Sequence, residues 1–103
     1  MHTIIFVTAS NKKEAQKISM GLIEQKLAAC VNIIDKIDSL FFWEGKVQKA
    51  KESLLIIKSK KEKIPKIIKL VKVLHSYKVP EIIALPVIAG DKSYLRWIDA
   101  ALR

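Results

Sequence analysis

The chain has 103 residues, a length that suits one domain and not two, so we predict a single domain over residues 1–103. Half of the residues are hydrophobic, which excludes an intrinsically disordered chain, and no apolar run approaches the roughly 20 residues of a membrane-spanning helix. The formal charge is +9, but only Arg96 and Arg103 carry the guanidinium group that reads bases and grips phosphates, so the composition argues against nucleic-acid binding.

The cellular compartment is predicted from the N-terminus and the cysteine count. Ile4–Val7 is too short for the apolar block of a signal peptide, and no basic stretch precedes it, which favours a cytoplasmic protein. Cys30 is the only cysteine, so no intrachain disulfide is possible. Its simplest interpretation is a small buried hydrophobic residue.

The first part of the chain predicts a strand, a helix and a long bent strand. The continuous apolar run inside residues 2–9 is typical of a central strand buried on both faces. Asn11 and Glu14 have the spacing of a capping pair, and apolar residues then recur at helical spacing, so we predict a helix from about residue 11 to residue 26. Residues 27–45 are extended and apolar except near residues 35–38, which indicates a bend or bulge.

A turn must join the bent strand to the next one. Glu44–Lys46 contains a glycine and is the first candidate, and a reversal nearer residues 49–51 is the alternative. Residues 53–59 include four consecutive aliphatic residues and form the third predicted strand.

The last part predicts a helix, a short strand and a final helix. Proline is tolerated only in the first turn of a helix, so Pro65 places the start of the second helix near Lys63. A strand over residues 82–88 follows, with prolines at both ends of its apolar run. Asp91 can cap the final helix.

The order β-α-β-β-α-β-α predicts an α+β fold. Two β-α-β halves with right-handed crossovers form a ferredoxin-like plait, in which two helices cover one face of an antiparallel four-stranded sheet, and an extra C-terminal helix follows. The strands are apolar on both faces, and the short final helix cannot cover the second face alone. We therefore expect the protein to self-associate.

Four segments carry a distinctive pattern over nearly the whole chain. They are Lys26-Leu27-Ala28-Ala29-Cys30-Val31-Asn32, Ser39-Leu40-Phe41-Phe42-Trp43-Glu44-Gly45-Lys46, Leu54-Leu55-Ile56-Ile57-Lys58-Ser59, and the stretch from His75 to Ile98. With these segments the chain resembles the CutA family of divalent-cation tolerance proteins. The resemblance implies a ferredoxin-like protomer in a tight homotrimer similar in shape to the P-II signalling proteins, a link to tolerance of divalent cations, especially copper, and no known catalytic reaction.

The resemblance also bears on a metal site. Some members of the family with a proposed copper site have a cysteine in the first strand and two adjacent histidines before the Pro-Glu pair. Here Val7 and Leu74 occupy two of those three positions, and only His75 matches. Lys78 stands where the family usually has an acidic or polar residue, which weakens the attraction for a cation.

We expect any metal site to be shared between subunits. A transition metal needs three or four ligands from histidine, cysteine and carboxylate side chains, and the candidates are His75, Glu81 and Cys30. The bound ion would be divalent copper, and no cofactor is obligatory. The alternative role for His75 is to cap the C-terminus of the second helix by bonding its free carbonyl groups.

Other residues are assigned to a cleft between subunits and to the interface itself. Lys58 ends the third strand and either stays in solvent or reaches into the cleft to bind an anion, paired with Glu81. Tyr77 belongs to the same cleft, with packing against a neighbouring subunit as its alternative. Trp43 and Phe41 are assigned to the trimer interface, because aromatic side chains bury a large area there.

We interpret the sequence as that of a non-enzymatic homotrimer that senses or buffers a divalent cation, or that binds a partner. The sequence has no Gly-x-Ser-x-Gly motif, no phosphate-binding glycine loop and no His-x-x-x-His motif, which argues against an enzyme. Three alternatives remain open. They are a P-II-like module that binds a small anionic metabolite, nucleic-acid binding through a lysine face, and a scaffold with no ligand.

Overall fold

The computed structural model describes all 103 residues, Met1–Arg103, with strands and helices in the predicted order. The elements are β1 (His2–Ala9), α1 (Lys12–Glu24), β2 (Cys30–Trp43), β3 (Lys46–Lys60), α2 (Ile64–Leu74), β4 (Ile82–Pro86) and α3 (Lys92–Ala101). The strands form one antiparallel sheet in the order β2-β3-β1-β4. This is the order of a ferredoxin-like plait, so the predicted fold class is confirmed.

The hydrophobic core lies between one face of the sheet and the helices α1 and α2. Alternate residues of β1 and β3 point to this side, and Ile5 pairs with Ile57 while Val7 pairs with Leu55. The helices contribute apolar side chains that recur at helical spacing and are fully buried in the same cluster: Ala15, Ile18, Leu22, Ile67 and Val71. The core is therefore built by period-2 strands against period-3.6 helices.

The opposite face of the sheet is covered only at one end. The side chain of Asp99 in α3 hydrogen-bonds to His2 at 2.9 Å and forms an ion pair with Lys60 at 3.3 Å, so α3 lies across the start of β1 and the end of β3. The remaining apolar residues of this face are half-buried or exposed: Phe6, Ile34, Leu54, Ile56, Ile83 and Leu85. As predicted, the final helix leaves this apolar face open.

Beyond the rest of the sheet, β2 and β3 continue as a two-stranded arm. The ladder between β1 and β3 ends at the Ala9–Ser53 pair, so residues 37–43 and 46–52 pair only with each other. The predicted bend is confirmed as a register shift between Ile34 and Ile37. None of the helices is both long and apolar enough to cross a membrane.

The hairpin turn lies at Glu44 and Gly45, which confirms the first candidate and excludes a reversal at residues 49–51. Both residues have positive φ angles, 51° and 80°, as a two-residue type I′ turn requires. The prediction that the third strand begins at residue 53 was wrong, because β3 begins at Lys46. Its first half contains three lysines and only two apolar residues, Val47 and Ala50, so no apolar run reveals this strand of the arm.

Three other predicted elements were longer than the observed ones. The first helix ends at Glu24 and not at residue 26, since Lys26 adopts a left-handed φ of 56° that a helix cannot contain. The fourth strand ends at Pro86 and not at residue 88, because its ladder with β1 ends at the Thr3–Pro86 pair. The second strand begins at Cys30 rather than residue 27.

Glu14 links the start of α1 to the loop that follows α2 through hydrogen bonds. Its amide donates to the side chain of Asn11 at 2.8 Å, and its carboxylate accepts hydrogen bonds from the amide of Ser10 at 3.0 Å and from the amide of Ser76 at 2.9 Å. Burial raises the pKa of Glu14, but the hydrogen bonds from Ser10 and Ser76 outweigh it, so the pKa lies below its ordinary value.

We predict that Glu14 makes the protein less stable in acid. A carboxyl group whose pKa is lowered by folding stabilises the folded state above its ordinary pKa of about 4.3, and this contribution is lost as the pH falls through the lower folded-state value. In urea denaturation from about pH 5 down to about pH 3, the free energy of unfolding should fall more steeply for the native sequence than for Glu14→Gln.

Glu24→Gln is the matched control, because it removes an exposed carboxylate from the other end of the same helix. Its pH slope should equal that of the native sequence. Equal slopes for the native sequence and Glu14→Gln would contradict the assignment.

Candidate functional site

The structure separates the predicted site residues into two groups. Lys58 lies opposite Ile4 and Cys30 in the sheet. The ring of His75 contacts Thr8, four residues further along β1, and four strand residues span about 13 Å. Within one chain, Cys30 and Lys58 are therefore not brought together with His75, Tyr77 and Glu81.

Cys30 and Lys58 lie side by side on the open face of the sheet. The Nζ atom of Lys58 is 4.0 Å from the Sγ atom of Cys30. Cys30 is half-exposed, so the expectation of a fully buried cysteine was wrong; the residue points away from the helices, toward the face that α3 only partly covers. Lys58 forms no ion pair with Glu81.

His75 is buried at the junction between α2 and the loop leading to β4. Its Nε2 atom lies 2.7 Å from the carbonyl oxygen of Thr8, and its Nδ1 atom lies 3.0 Å from the amide nitrogen of Tyr77. Because an amide can only donate, Nδ1 accepts, and the ring proton sits on Nε2 and is donated to Thr8. The ring of His75 thus bonds β1, while its backbone amide donates to the carbonyl of Val71 at 2.9 Å and makes His75 the C-cap residue of α2. The capping alternative is therefore confirmed for the backbone of His75 and not for its ring.

This arrangement assigns both nitrogens of His75 within the chain. A metal ion could reach either nitrogen only after one of the two hydrogen bonds breaks. In this conformation His75 is a positioning residue, which fixes the backbone of Tyr77 against the central strand of the sheet.

Tyr77 reaches from this loop to the base of the arm. Its hydroxyl donates to the carboxylate of Glu52 at 2.8 Å, and its ring lies 4.8 Å from the ring of His75 between centroids. Burial, together with the hydrogen bond to Glu52 and the charge of that carboxylate, raises the pKa of Tyr77 to about 12. The phenol therefore keeps its proton at neutral pH and acts as a donor to Glu52.

Glu52 is the site residue that sequence reasoning missed. It is only 7% exposed and is the last residue of the arm before the buried part of β3. The predicted strand began one residue later, so Glu52 was left in a charged connection. The only available signal was a single acidic residue separated by Ser53 from four consecutive aliphatic residues.

Glu81 provides a second carboxylate in the same place. Glu81 is an exposed residue, but partial burial of its carboxyl group raises its pKa, and the neighbouring charge of Glu52 raises the pKa further. Neither Glu52 nor Glu81 forms an ion pair with a lysine, arginine or histidine side chain. Two carboxylates without a counter-cation thus face the same space.

That space is a cavity of about 700 Å³ at the base of the arm, which we call the arm cavity. The charged residues in its lining are Asp38, Glu52, Lys78 and Glu81, and the aromatic residues are Phe41, Trp43 and Tyr77. Phe41 and Trp43, predicted for a subunit interface, therefore line a cavity of their own chain.

One chain does not contain a complete metal centre. No group of three or more histidine, cysteine, aspartate or glutamate side chains is close enough to hold a metal ion. Glu52 and Glu81 supply two carboxylates, which fit part of the coordination shell of a divalent cation.

Comparison with known proteins identifies the family. The model of the CutA1 divalent ion tolerance proteins matches residues 3–101. The divalent-cation tolerance protein CutA of Archaeoglobus fulgidus is 46% identical over 99 residues, which cover 96% of each chain. The chloroplastic protein CutA 1 of Oryza sativa is 43% identical over 100 residues, which cover 97% of this chain and 56% of the rice protein. The chain thus spans about half the length of such plant relatives.

Solved structures agree closely with the fold. The structure described as the periplasmic divalent cation tolerance protein CutA from Archaeoglobus fulgidus superimposes with a TM-score of 0.97 at 45% identity and covers 100% of both chains. The crystal structure of CutA1 from Oryza sativa has a TM-score of 0.96 at 42% identity and covers 99% of this chain and 94% of the rice chain.

These descriptions correct one prediction. The sequence favoured a cytoplasmic protein, but the Archaeoglobus structure is described as periplasmic and the rice relative as chloroplastic. The prediction was wrong because it depended on the start of the chain, which does not reveal where members of a family act.

The resemblance seen in the sequence is therefore confirmed. The family is described by tolerance of divalent ions and not by a reaction. A family match over residues 3–101 and relatives above 40% identity over nearly the whole chain show that this chain belongs to the CutA1 family of divalent ion tolerance proteins.

Proposed function

We propose that this protein acts in divalent-cation tolerance as a non-enzymatic homotrimer that binds a divalent cation, copper included, at the arm cavity. The observation that carries the proposal is the pair of carboxylates in that cavity, Glu52 and Glu81, which have no counter-cation within the chain.

The electrostatics of the pair favour a cation between them. Glu52 is nearly buried, and the hydroxyl of Tyr77 is its hydrogen-bond donor. Burial, and then repulsion from Glu52, raises the pKa of Glu81, so the negative charge on Glu81 is held at a cost. A divalent cation removes that repulsion, and carboxylate oxygens are ligands that hard divalent cations accept.

The general order of affinities supports copper as one of the cations that the site could bind. A given set of donors binds Cu²⁺ more tightly than Mn²⁺, so an oxygen-rich site still favours copper where copper is present. Two carboxylates leave coordination positions open. A second protomer seated against the arm would supply further ligands, and Cys30 of a neighbouring chain, which lies on the open sheet face, is a candidate.

The homotrimer is supported by unpaired apolar surface. Phe42 and Val47 on the arm are 73% and 65% exposed, and the open face of the sheet adds Ile34 and Ile83. Strands β2 and β4 are edges with unpaired backbone groups. Closed symmetric association would cover such surfaces, in the manner of the P-II-like trimer that the resemblance to the CutA family implies.

A second candidate function is P-II-like binding of a small anionic metabolite at Lys58. Its side chain is half-buried on the open face and forms no ion pair. A partly desolvated ammonium group without an anionic partner is suited to an anion at a subunit boundary.

We predict that Glu81→Gln weakens binding of Cu²⁺ and Mn²⁺ about tenfold or more in titration calorimetry, because one of two charged ligands is lost. Glu24→Gln, with the same change of charge on α1, should leave both affinities unchanged. Unaltered affinity of the Glu81 variant would remove the arm cavity as the cation site. Binding of citrate that is lost in Lys58→Gln, with no binding of either metal, would instead support the second candidate.

We also predict that the protein sediments as a trimer and that Trp43→Ala weakens the assembly by about 2 kcal/mol or more per protomer, since aromatic residues dominate interface energies. Met20→Ala is the control, because Met20 is 60% exposed on α1, away from the arm and the open face. Analytical ultracentrifugation at a series of concentrations measures both. A folded monomer at micromolar concentration would overturn the assembly.

A further inference from the structure

The arm cavity is lined by aromatic side chains, which a metal site does not require. Trp43 and Phe41 are 49% and 42% exposed and line the cavity together with Tyr77, whose hydroxyl is anchored on Glu52. A hydrated divalent ion takes oxygen ligands and makes no use of aromatic faces. Aromatic faces do attract organic cations, and most strongly where those cations leave water.

The charged residues that line the cavity favour a ligand with a positive charge. The chain as a whole carries +9, yet the lining contains three carboxylates, Asp38, Glu52 and Glu81, and one ammonium group, Lys78. Asp38 is neutralised by Lys51 at 2.7 Å. The two carboxylates that remain without a cation thus set a local negative potential within a basic protein.

The hydrogen-bonding groups that line the cavity are acceptors, which favours a ligand with several hydrogen-bond donors. Glu52 and Glu81 can only accept hydrogen bonds when they are ionised. The hydroxyl proton of Tyr77 is donated to Glu52, which leaves the phenol oxygen as a third acceptor on the same side of the cavity. Three acceptors beside aromatic surface match a primary ammonium group, which has three donors and no acceptor.

We propose that the arm cavity binds an organic primary ammonium ion, with its charged head between Glu52 and Glu81 and its apolar body against Trp43 and Phe41. The inference rests on the proposed function, since it uses the same two carboxylates. A volume of about 700 Å³ accommodates a small organic amine and not merely an ion. The cavity would then recognise the ligand by charge at its inner end and by stacking at its outer end.

The test uses phenethylammonium as the probe and 2-phenylethanol as its neutral counterpart of similar shape. Trp43 and Trp97 are the only two tryptophans, so Trp97→Phe leaves Trp43 as the single fluorescent reporter inside the cavity. Phenethylammonium should change the emission of Trp43 in a saturable manner, and the alcohol should bind roughly tenfold more weakly or not at all. Equal binding of the two compounds would overturn the proposal.

Two variants of opposite sign test the charge contribution. Glu81→Gln should weaken phenethylammonium binding roughly tenfold, and Lys78→Gln should strengthen it, because Lys78 is the only cationic residue in the lining. Glu24→Gln should change the affinity less than about twofold. If Glu81→Gln fails to fold, Lys78→Gln still decides: unchanged or weaker binding in that variant would overturn the proposal.

Titration of the same proteins with Mn²⁺ separates this inference from the proposed function. Binding of phenethylammonium that Mn²⁺ displaces supports both. Binding of phenethylammonium without any binding of Mn²⁺ or Cu²⁺ supports the ammonium site and removes the metal site. Binding of the metals without binding of phenethylammonium overturns the ammonium site and leaves the proposed function standing.

Discussion

The site depends on a short chain of hydrogen bonds that begins at a backbone carbonyl in the central strand. His75 donates to the carbonyl of Thr8 and accepts from the amide of Tyr77, and Tyr77 in turn donates to Glu52. His75 and Glu52 are buried while Tyr77 is 36% exposed, so breaking a bond leaves a polar group of His75 or Glu52 with little water to replace its partner. These hydrogen bonds join the loop before β4 to the base of the arm. They fix the relative position of the two elements that line the arm cavity.

The second constraint is that two helices cover one face of a sheet whose strands are apolar on both. The inner face closes over a core of fully buried aliphatic side chains, while the outer face has only α3 at one end. Folding of one protomer therefore leaves apolar surface and the exposed arm unsatisfied. The association proposed above would cover these surfaces, as oligomerisation often does for small domains.

Element types and fold class could be predicted because they follow from local periodicity, proline placement and capping residues such as Asn11 and Asp91, whose side chains do cap α1 and α3. The start of β3 could not be predicted, because Lys46 to Lys51 form a solvated strand of the arm without an apolar pattern. The site was predicted in part. His75, Tyr77 and Glu81 are close in sequence, but Glu52 is joined to them only by the tertiary contact with Tyr77, and Cys30 and Lys58 are separated from them by the length of a strand.

The arm cavity and the proposed interface share residues, which has a thermodynamic consequence. Phe41 and Trp43 line the cavity from the arm, and the arm is also the part of the chain that extends furthest from its own core. A neighbouring protomer that packs on the arm would also restrict the motion of the arm. It would thereby hold Phe41 and Trp43 in position to bind a ligand. Binding free energies are reciprocal. If association strengthens the binding of a ligand to Phe41 and Trp43, the ligand must strengthen association by the same free energy. Under the proposed function, coupling of this kind would convert the presence of a cation into a change of the protein's own association.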